Sequence, residues 1–331
     1  MKDCKVAILG ATGVVGQEMI KILAERNFPV SELVPLASAR SVGKEIKFKD
    51  RVFTVKEAGP DAYKGCDIVL GAAENEISKA NLPYILDSGA VYIDNSSAFR
   101  LDPEVPLVVP ELNADDVKLN KGIIANPNCV TIIAAVAMAP ILGLSKIKTI
   151  VASSYQAVSG AGAKGLAELE QQANDYPFGK PLEVSAFKHQ ILFNLIPKIG
   201  GIGENGYSSE EMKLQNEGRK IMHLPDLKVC CTCVRVPVLR SHSISIQLVT
   251  EDKLSISQIK DAVSNGKGVK LYDDAANEIY PMPLIASDQD LVYVGRIRED
   301  LINENGIALW CCGDQIRKGA ATNAVQIAEL L

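Results

Sequence analysis

The run Val6-Ala7-Ile8-Leu9 reads as a strand, ends in Gly10-Ala11-Thr12-Gly13-Val14-Val15-Gly16, and passes directly into a helical pattern over residues 14–26. Glycines at the first, fourth and seventh positions allow a tight turn and a close approach of backbone to a pyrophosphate. The helix N-terminus that follows suits negative charge. An ordinary strand-to-helix turn is the plain alternative. Its place after the first strand and before an amphipathic helix favours a dinucleotide turn.

The first third continues this alternation. Strand patterns at residues 5–9, 33–37, 67–73, 91–94 and 107–109 are separated by helical patterns such as 77–86. Strands alternating with helices predict a parallel, doubly wound α/β sheet. The remainder has long strand patterns at 147–155, 229–237, 243–250 and 291–296, with a helix at 256–265. Few crossover helices among long strands predict an α+β domain with a mixed sheet. Residues 315–331 read as one amphipathic helix too short to stand alone, so it is expected to pack back on the first domain. The chain's 331 residues suffice for two domains. The expected division is 1–128 with 314–331, and 129–313.

The second strand of a dinucleotide fold is where an acid reads the ribose of NAD. Here the chain reads Ala37-Ser38-Ala39-Arg40-Ser41, with no Asp or Glu. An Arg between hydroxyls suits a 2′-phosphate, so Ser38, Arg40 and Ser41 point to NADP. A solvated surface charge is the alternative for Arg40.

Asn126-Pro127-Asn128-Cys129 places a cysteine where an extended segment meets an apolar helical run at 130–142. The helix dipole and the unbonded N–H groups of a first turn favour thiolate over thiol, and a thiolate is a nucleophile. A small, inert core residue is the competing reading. The other cysteines, Cys4 and Cys66 among them, are expected to be reduced; Cys230, Cys231, Cys233, Cys311 and Cys312 lack zinc spacing and are expected to pack within strand-like runs. No metal is expected.

Partners for a nucleophile are few. Of three histidines, His189 and His223 lie in polar, loop-like contexts. His242 opens a strand pattern after Arg235-Val236-Pro237-Val238-Leu239-Arg240-Ser241, which pairs an imidazole with a cation. Tyr155-Gln156-Ala157-Val158-Ser159-Gly160 lies at a strand end, and so does Asp94-Asn95-Ser96-Ser97-Ala98-Phe99-Arg100, whose hydroxyls and Arg suit an anion. Glu210 and Lys213 stand one helical turn apart, the spacing of an ordinary surface pair.

The 35 Lys and Arg against 40 Asp and Glu give −5, with no basic block interleaved with aromatics, which argues against nucleic acid. No stretch reaches the ~18 apolar residues of a membrane span, and the start of the chain lacks a secretory pattern. A cytoplasmic protein is expected.

Taken together, these motifs resemble the bacterial aspartate-semialdehyde dehydrogenases from end to end. The markers are Gly10 to Gly16, Asn126 to Cys129, Tyr155 to Gly162, Arg235 to Val238 with His242, and Asn323-Ala324-Val325-Gln326-Ile327-Ala328-Glu329. The resemblance implies NADPH-dependent reduction of L-aspartyl 4-phosphate to L-aspartate 4-semialdehyde, with release of inorganic phosphate, in lysine, diaminopimelate, methionine and threonine synthesis. It implies Cys129 as the acylated nucleophile, His242 as acid/base and Gln156 orienting the substrate. Arg235 would clamp the α-carboxylate and Glu210 would meet the α-amino group. Arg100 and Lys213, helped by Asn95 or Ser97, would hold phosphate. Gly10, Thr12, Gly13, Val14 and Val15 of the turn, Ser38, Arg40 and Ser41, and Ser159, Gly160 and Asn323 would contact NADP. A homodimer is implied, with a tetramer as the alternative.

Three positions depart from the family pattern. Val130 stands for a frequent Ser, Ile133 for a frequent Gln, and Glu74 puts a carboxylate in the loop after the third strand. N-acetyl-glutamyl-phosphate reductase shares the chemistry but has a Gly-Cys motif, and Glu210 suits a free amino group that its substrate lacks. The residues around Cys129 do not match glyceraldehyde-phosphate dehydrogenase. An NADP-binding scaffold without catalysis would require damage at Cys129, Gln156, Arg235 or His242.

Overall fold

A computed structural model describes residues 3–331. Met1 and Lys2, placed by the sequence ahead of the first strand, lie outside the described residues. The chain forms two compact units. One runs through Asn128 and takes up Ala320–Leu331, and the other is Cys129–Gly319.

The first unit runs β1 (Cys4–Leu9), α1 (Val14–Glu25), β2 (Val30–Ala37), β3 (Glu45–Phe48), β4 (Arg51–Thr54), β5 (Lys56–Glu57), β6 (Ile68–Gly71), α2 (Asn75–Asp87), β7 (Val91–Asp94), α3 (Pro110–Asn113) and β8 (Ile123–Ala125). Its main sheet has the order β5-β2-β1-β6-β7-β8, with every pairing parallel. The doubly wound pattern is therefore present. The central strands are continuous apolar runs, as a sheet buried on both faces requires. β3 and β4 form a separate hairpin that the sequence pattern did not single out. Residues 107–109, expected as a strand, make only a bridge from Leu107 to Ala125. Pro106 and Pro110 flank them, and proline cannot donate to a ladder.

The second unit runs α4 (Cys129–Leu142), β9 (Ile147–Gln156), α5 (Gly162–Asp175), α6 (Ser209–Ile221), β10 (Lys228–Arg235), β11 (His242–Thr250), α7 (Ile256–Asn265), β12 (Val269–Leu271), α8 (Pro283–Ala286), β13 (Val292–Glu299) and β14 (Gly306–Gly313). Its sheet order is β10-β9-β11-β14-β13-β12. β10 pairs parallel to β9, while β11 pairs antiparallel to both β9 and β14, so the sheet is mixed as expected. α4 is apolar all round and almost wholly buried against β11, β13 and β14.

Two expectations for the C-terminal part need correction. The chain returns to the first unit at Ala320 rather than at residue 314. Residues 314–317 are tied into the second unit by polar bonds. Asp314 takes Arg240 Nε at 2.6 Å, Gln315 Oε1 takes the Ser241 N–H at 2.7 Å, and Arg317 pairs with Asp290 at 2.9 Å. Nor is the last stretch one amphipathic helix. A wider turn, Arg317–Ala321, precedes the regular helix Thr322–Ala328, and both are largely buried, polar residues included. The helix packs Ala324, Val325, Ile327 and Ala328 into the core that also holds Met19, Ile22 and Leu23 of α1.

Among the described residues no disulfide forms, and no helix is long and apolar enough to cross a membrane. Cys231, Cys233, Cys311 and Cys312 are buried in strands. Burial pushes the Cys312 thiol up to about 12 and the Cys311 thiol well above its ordinary value, so both are inert packing groups.

Candidate active site

The nucleotide turn in the first unit follows from its glycines. Gly10 has φ +90°, and a Cβ there would lie 2.6 Å from Ala72 O. A Cβ on Gly16 would lie 2.3 Å from Gly10 O, so α1 packs on the turn only without a side chain there. Gly13 precedes the first helical residues Val14 and Val15, and Thr12 and Gly13 are exposed. Thr12 Oγ1 lies 3.5 Å from Ser41 Oγ. A short turn, Ala39–Ser41, preceded by Ser38, carries Arg40 into solvent, where it pairs with no carboxylate among the described residues. Glu74 precedes α2 with an exposed side chain. Its carboxylate stays hydrated, while backbone of Ala72 and Ala73 borders Gly10. A backbone cradle beside an open helix N-terminus fits a dinucleotide.

At the end of β7, the same unit gathers Asn95, Ser97 and Arg100. Arg100 is buried and donates through Nε to Asn126 O at 2.9 Å and through Nη2 to Asn95 O at 2.7 Å. Asn75 holds Ser97, accepting its N–H at 2.9 Å. Asp94 is fully buried and fixes the turn by accepting from Ser96 N and from Tyr92 OH, each at 3.1 Å. Asn323, expected on the cofactor, is fully buried and donates to Val108 O at 2.9 Å and Asn126 Oδ1 at 2.7 Å.

The second unit assembles the remaining groups at one edge of its sheet. β9 and β10 run parallel with Gln156 opposite Arg235, so both strands end at this edge. β11 runs the other way and therefore starts there, at His242, opposite Gly313 at the end of β14. Strand direction alone brings Gln156, Arg235 and His242 together. Cys129 is the first residue of α4 and lies against Gly319, where an added Cβ would sit 3.1 Å from the Cys129 Cβ.

His242 is completely buried. Its Nδ1 accepts the Ala157 N–H at 3.1 Å, and Nε2 meets no partner among the described residues. Burial pushes the imidazole well below its ordinary range, and the nearby Arg235 charge pushes it further. It is therefore neutral at pH 7. Because Nδ1 accepts, the ring proton sits on Nε2, which borders Gly160: a Cβ on Gly160 would lie 3.3 Å from Nε2 and 2.7 Å from Arg235 Nη1.

Arg235 donates Nη1 to Ala157 O at 2.6 Å and stands over the Phe187 ring at 5.9 Å. Burial works against its charge, while Cys129 and Glu210 favour it. Its other guanidinium N–H groups face no acceptor among the described residues, which leaves a fork able to grip a carboxylate. Gln156 Nε2 reaches Ser154 Oγ at 3.2 Å and Glu210 Oε1 at 3.4 Å. Glu210, on the first turn of α6, pairs with Lys213 at 2.8 Å. Ser159 accepts from Gln315 Nε2.

Several contributors were not singled out by the sequence. Ala157 acts through its backbone N–H and carbonyl, which carry no sequence signature. Gln315 joins the Ser159 turn to Ser241, a non-glycine residue at φ +73° immediately before His242. Its place just past the last strand of the sheet was the available signal.

Family models match both units: the semialdehyde dehydrogenase NAD binding domain over residues 5–120, and the dimerisation domain over residues 138–318. The aspartate-semialdehyde dehydrogenase of Aquifex aeolicus is 51% identical, covering 99% of this chain and 97% of its own. That of Bacillus subtilis is 45% identical, covering 98% and 96%. The crystal structure of aspartate semialdehyde dehydrogenase II from Vibrio cholerae, complexed with ASA, has a TM-score of 0.97 at 42% identity, covering 100% and 98%.

Proposed function

The chain belongs to the aspartate-semialdehyde dehydrogenase family, and we propose that its reaction runs through a thioester on Cys129 with His242 as the proton-handling group. It is an oxidoreductase of amino-acid biosynthesis that uses a nicotinamide cofactor at the level of L-aspartate 4-semialdehyde, on the route to lysine, diaminopimelate, methionine and threonine. The observation that carries the mechanistic proposal is the buried His242 Nε2 without a partner, set beside Gly160 and Arg235.

Arg235 grips the substrate α-carboxylate with its fork, and Glu210 and Gln156 meet the α-amino end. The helix dipole at the start of α4 favours an anion on the Cys129 sulfur, which attacks the acyl carbon of aspartyl phosphate. The C–O bond to phosphate breaks, and Cys129 carries the aspartyl group as a thioester. Arg100 and Lys213, with Asn95 and Ser97, receive the phosphate. A nicotinamide held at the Gly10 to Gly16 turn would supply or accept the hydride. In the reductive direction the thioester becomes a thiohemiacetal, whose oxyanion takes a hydrogen bond from His242 Nε2–H. Cleavage of the C–S bond then releases the aldehyde and restores the thiolate. A neutral His242 suits this work, because a hydrogen-bond donor is needed where negative charge develops.

NADP is the proposed cofactor, since Arg40 is exposed, unpaired and set between Ser38 and Ser41. Gly10, Thr12, Gly13, Val14 and Val15 take the pyrophosphate, and Ser159, Gly160 and Asn323 complete the contacts. A cytoplasmic homodimer is proposed, supported by the dimerisation-domain match.

Phosphate-dependent oxidation of aspartate semialdehyde, followed as absorbance of reduced cofactor, tests the whole scheme. Turnover is expected with NADP and inorganic phosphate. Unchanged turnover in Cys129→Ala would exclude the covalent route.

A further inference from the structure

Three carboxamides in the first unit form a chain whose direction is imposed from one end. Val108 O and Ala320 O are backbone carbonyls and can only accept. Asn323 therefore presents Nδ2 to Val108 O at 2.9 Å, and the same Nδ2 donates to Asn126 Oδ1 at 2.7 Å. With its oxygen so engaged, Asn126 turns its Nδ2 to Ala320 O at 3.2 Å and to Asn95 Oδ1. Asn95 thus accepts through oxygen, and its Nδ2 becomes the open end of the chain. That atom is buried and has no partner among the described residues. Reversing the Asn126 amide would set oxygen against Ala320 O, and reversing Asn323 would set oxygen against Val108 O. The polarity is therefore determined by the fold, and the chain ends in a donor that calls for an acceptor.

The backbone of the same residues aims a second donor. Asn126 O accepts Arg100 Nε at 2.9 Å, and Asn95 O accepts Arg100 Nη2 at 2.7 Å. Asn126 and Asn323 are both fully buried, so neither amide is free to rotate in water.

We propose that Asn126 is a positioning residue for an oxyanion seat, orienting the Asn95 amide so that its NH₂, beside the Arg100 guanidinium, binds a phosphate oxygen. This rests on the phosphate seat proposed above. It assigns a task to the first residue of the Asn126-Pro127-Asn128-Cys129 motif, and to Asn323 a place in the amide chain.

The test is steady-state oxidation of aspartate semialdehyde with inorganic phosphate as the varied substrate. Asn126→Leu keeps the size and charge but frees the Asn95 amide to reverse. It is expected to raise the KM for phosphate roughly tenfold, the loss of about one good hydrogen bond. The fall in kcat should be smaller, and the KM values for semialdehyde and NADP should stay within about twofold. A merely structural role would lower Tm and disturb all three KM values alike, and that result overturns the proposal. If Asn126→Leu fails to fold, Asn95→Ala decides: a rise confined to the phosphate KM supports the inference, and an unchanged phosphate KM overturns it. Arg100→Ala separates this inference from the seat itself. A phosphate KM indifferent to Arg100→Ala removes the seat; one that responds to Arg100→Ala but not to Asn126→Leu or Asn95→Ala removes only the amide chain.

Discussion

Between Gly10 and Gly16 consecutive residues build a turn out of backbone, whereas the edge carrying Gln156, Arg235 and His242 is built from side chains on three strands. The turn works by what it lacks. A Cβ on Gly16 would meet Gly10 O at 2.3 Å, so any side chain there moves α1. The strand edge works by what it adds in a buried setting. His242 is neutral because it is buried beside Arg235, and Ala157 N–H selects its tautomer. A backbone site should therefore tolerate changes of side-chain chemistry and fail on added bulk. A side-chain site should fail on small chemical changes that leave the fold intact.

The largest effect is expected at the thiol. Cys129→Ser should lower kcat by about 10⁴-fold or more while NADP binding, followed by fluorescence titration, stays intact. Near-normal turnover would mean that the side-chain site does not depend on its nucleophile. His242→Gln should follow, with a loss of roughly 10²–10⁴ in kcat/KM and little change in Tm. A large drop in Tm with modest kinetic loss would instead assign His242 to packing.

Next is Arg235→Lys, where a point charge replaces a fork. We expect kcat/KM to fall roughly 10- to 100-fold, chiefly through KM for the semialdehyde. An unchanged value would remove Arg235 from the substrate. Gly16→Ala probes the other side of the comparison. It should destabilise the protein by about 1–3 kcal/mol, seen in chemical denaturation, because backbone rather than a flexible side chain obstructs the new Cβ. If the methyl is silent, the turn is looser than its geometry implies. The smallest kinetic effect is expected for Arg40→Ala, which should weaken NADP about five- to tenfold and NAD hardly at all. Equal loss for both cofactors would leave Arg40 a surface charge.

A pH series adds a sharper distinction. The folded pKa of His242 lies well below its unfolded value near 6.5. Between the two values the unfolded chain binds the extra proton, so stability rises with pH through that window and falls as pH drops below about 6.5. For the same reason kcat should show no inflection near 6.5 assignable to His242. An inflection there that vanishes in His242→Gln would mean the imidazole is hydrated in solution.

Much of this was legible from local pattern. The turn at Gly10, the parallel first sheet, the mixed second sheet and α4 follow from periodicity and from glycine placement, which act over a few residues. The short strand expected at residues 107–109 failed because two prolines limit its ladder to one bridge. The C-terminal stretch looked amphipathic because its polar residues were assumed to face water. Instead Gln315, Arg317 and Asn323 find partners inside.

What the sequence determined by itself is the set of elements and the chemical types available at their ends: a thiol opening a helix, an imidazole opening a strand, an arginine and a glutamine closing two others. Which of them meet was decided only by tertiary structure. His242 lies far from Gln156 along the chain, yet the antiparallel run of β11 returns its first residue to the edge where β9 ends. The state of that imidazole was decided the same way, since desolvation, the Arg235 charge and the Ala157 N–H belong to the packed site and to no local segment. Local backbone preferences act between near neighbours in sequence, but burial and electrostatics act between neighbours in space, and only the folded chain defines those.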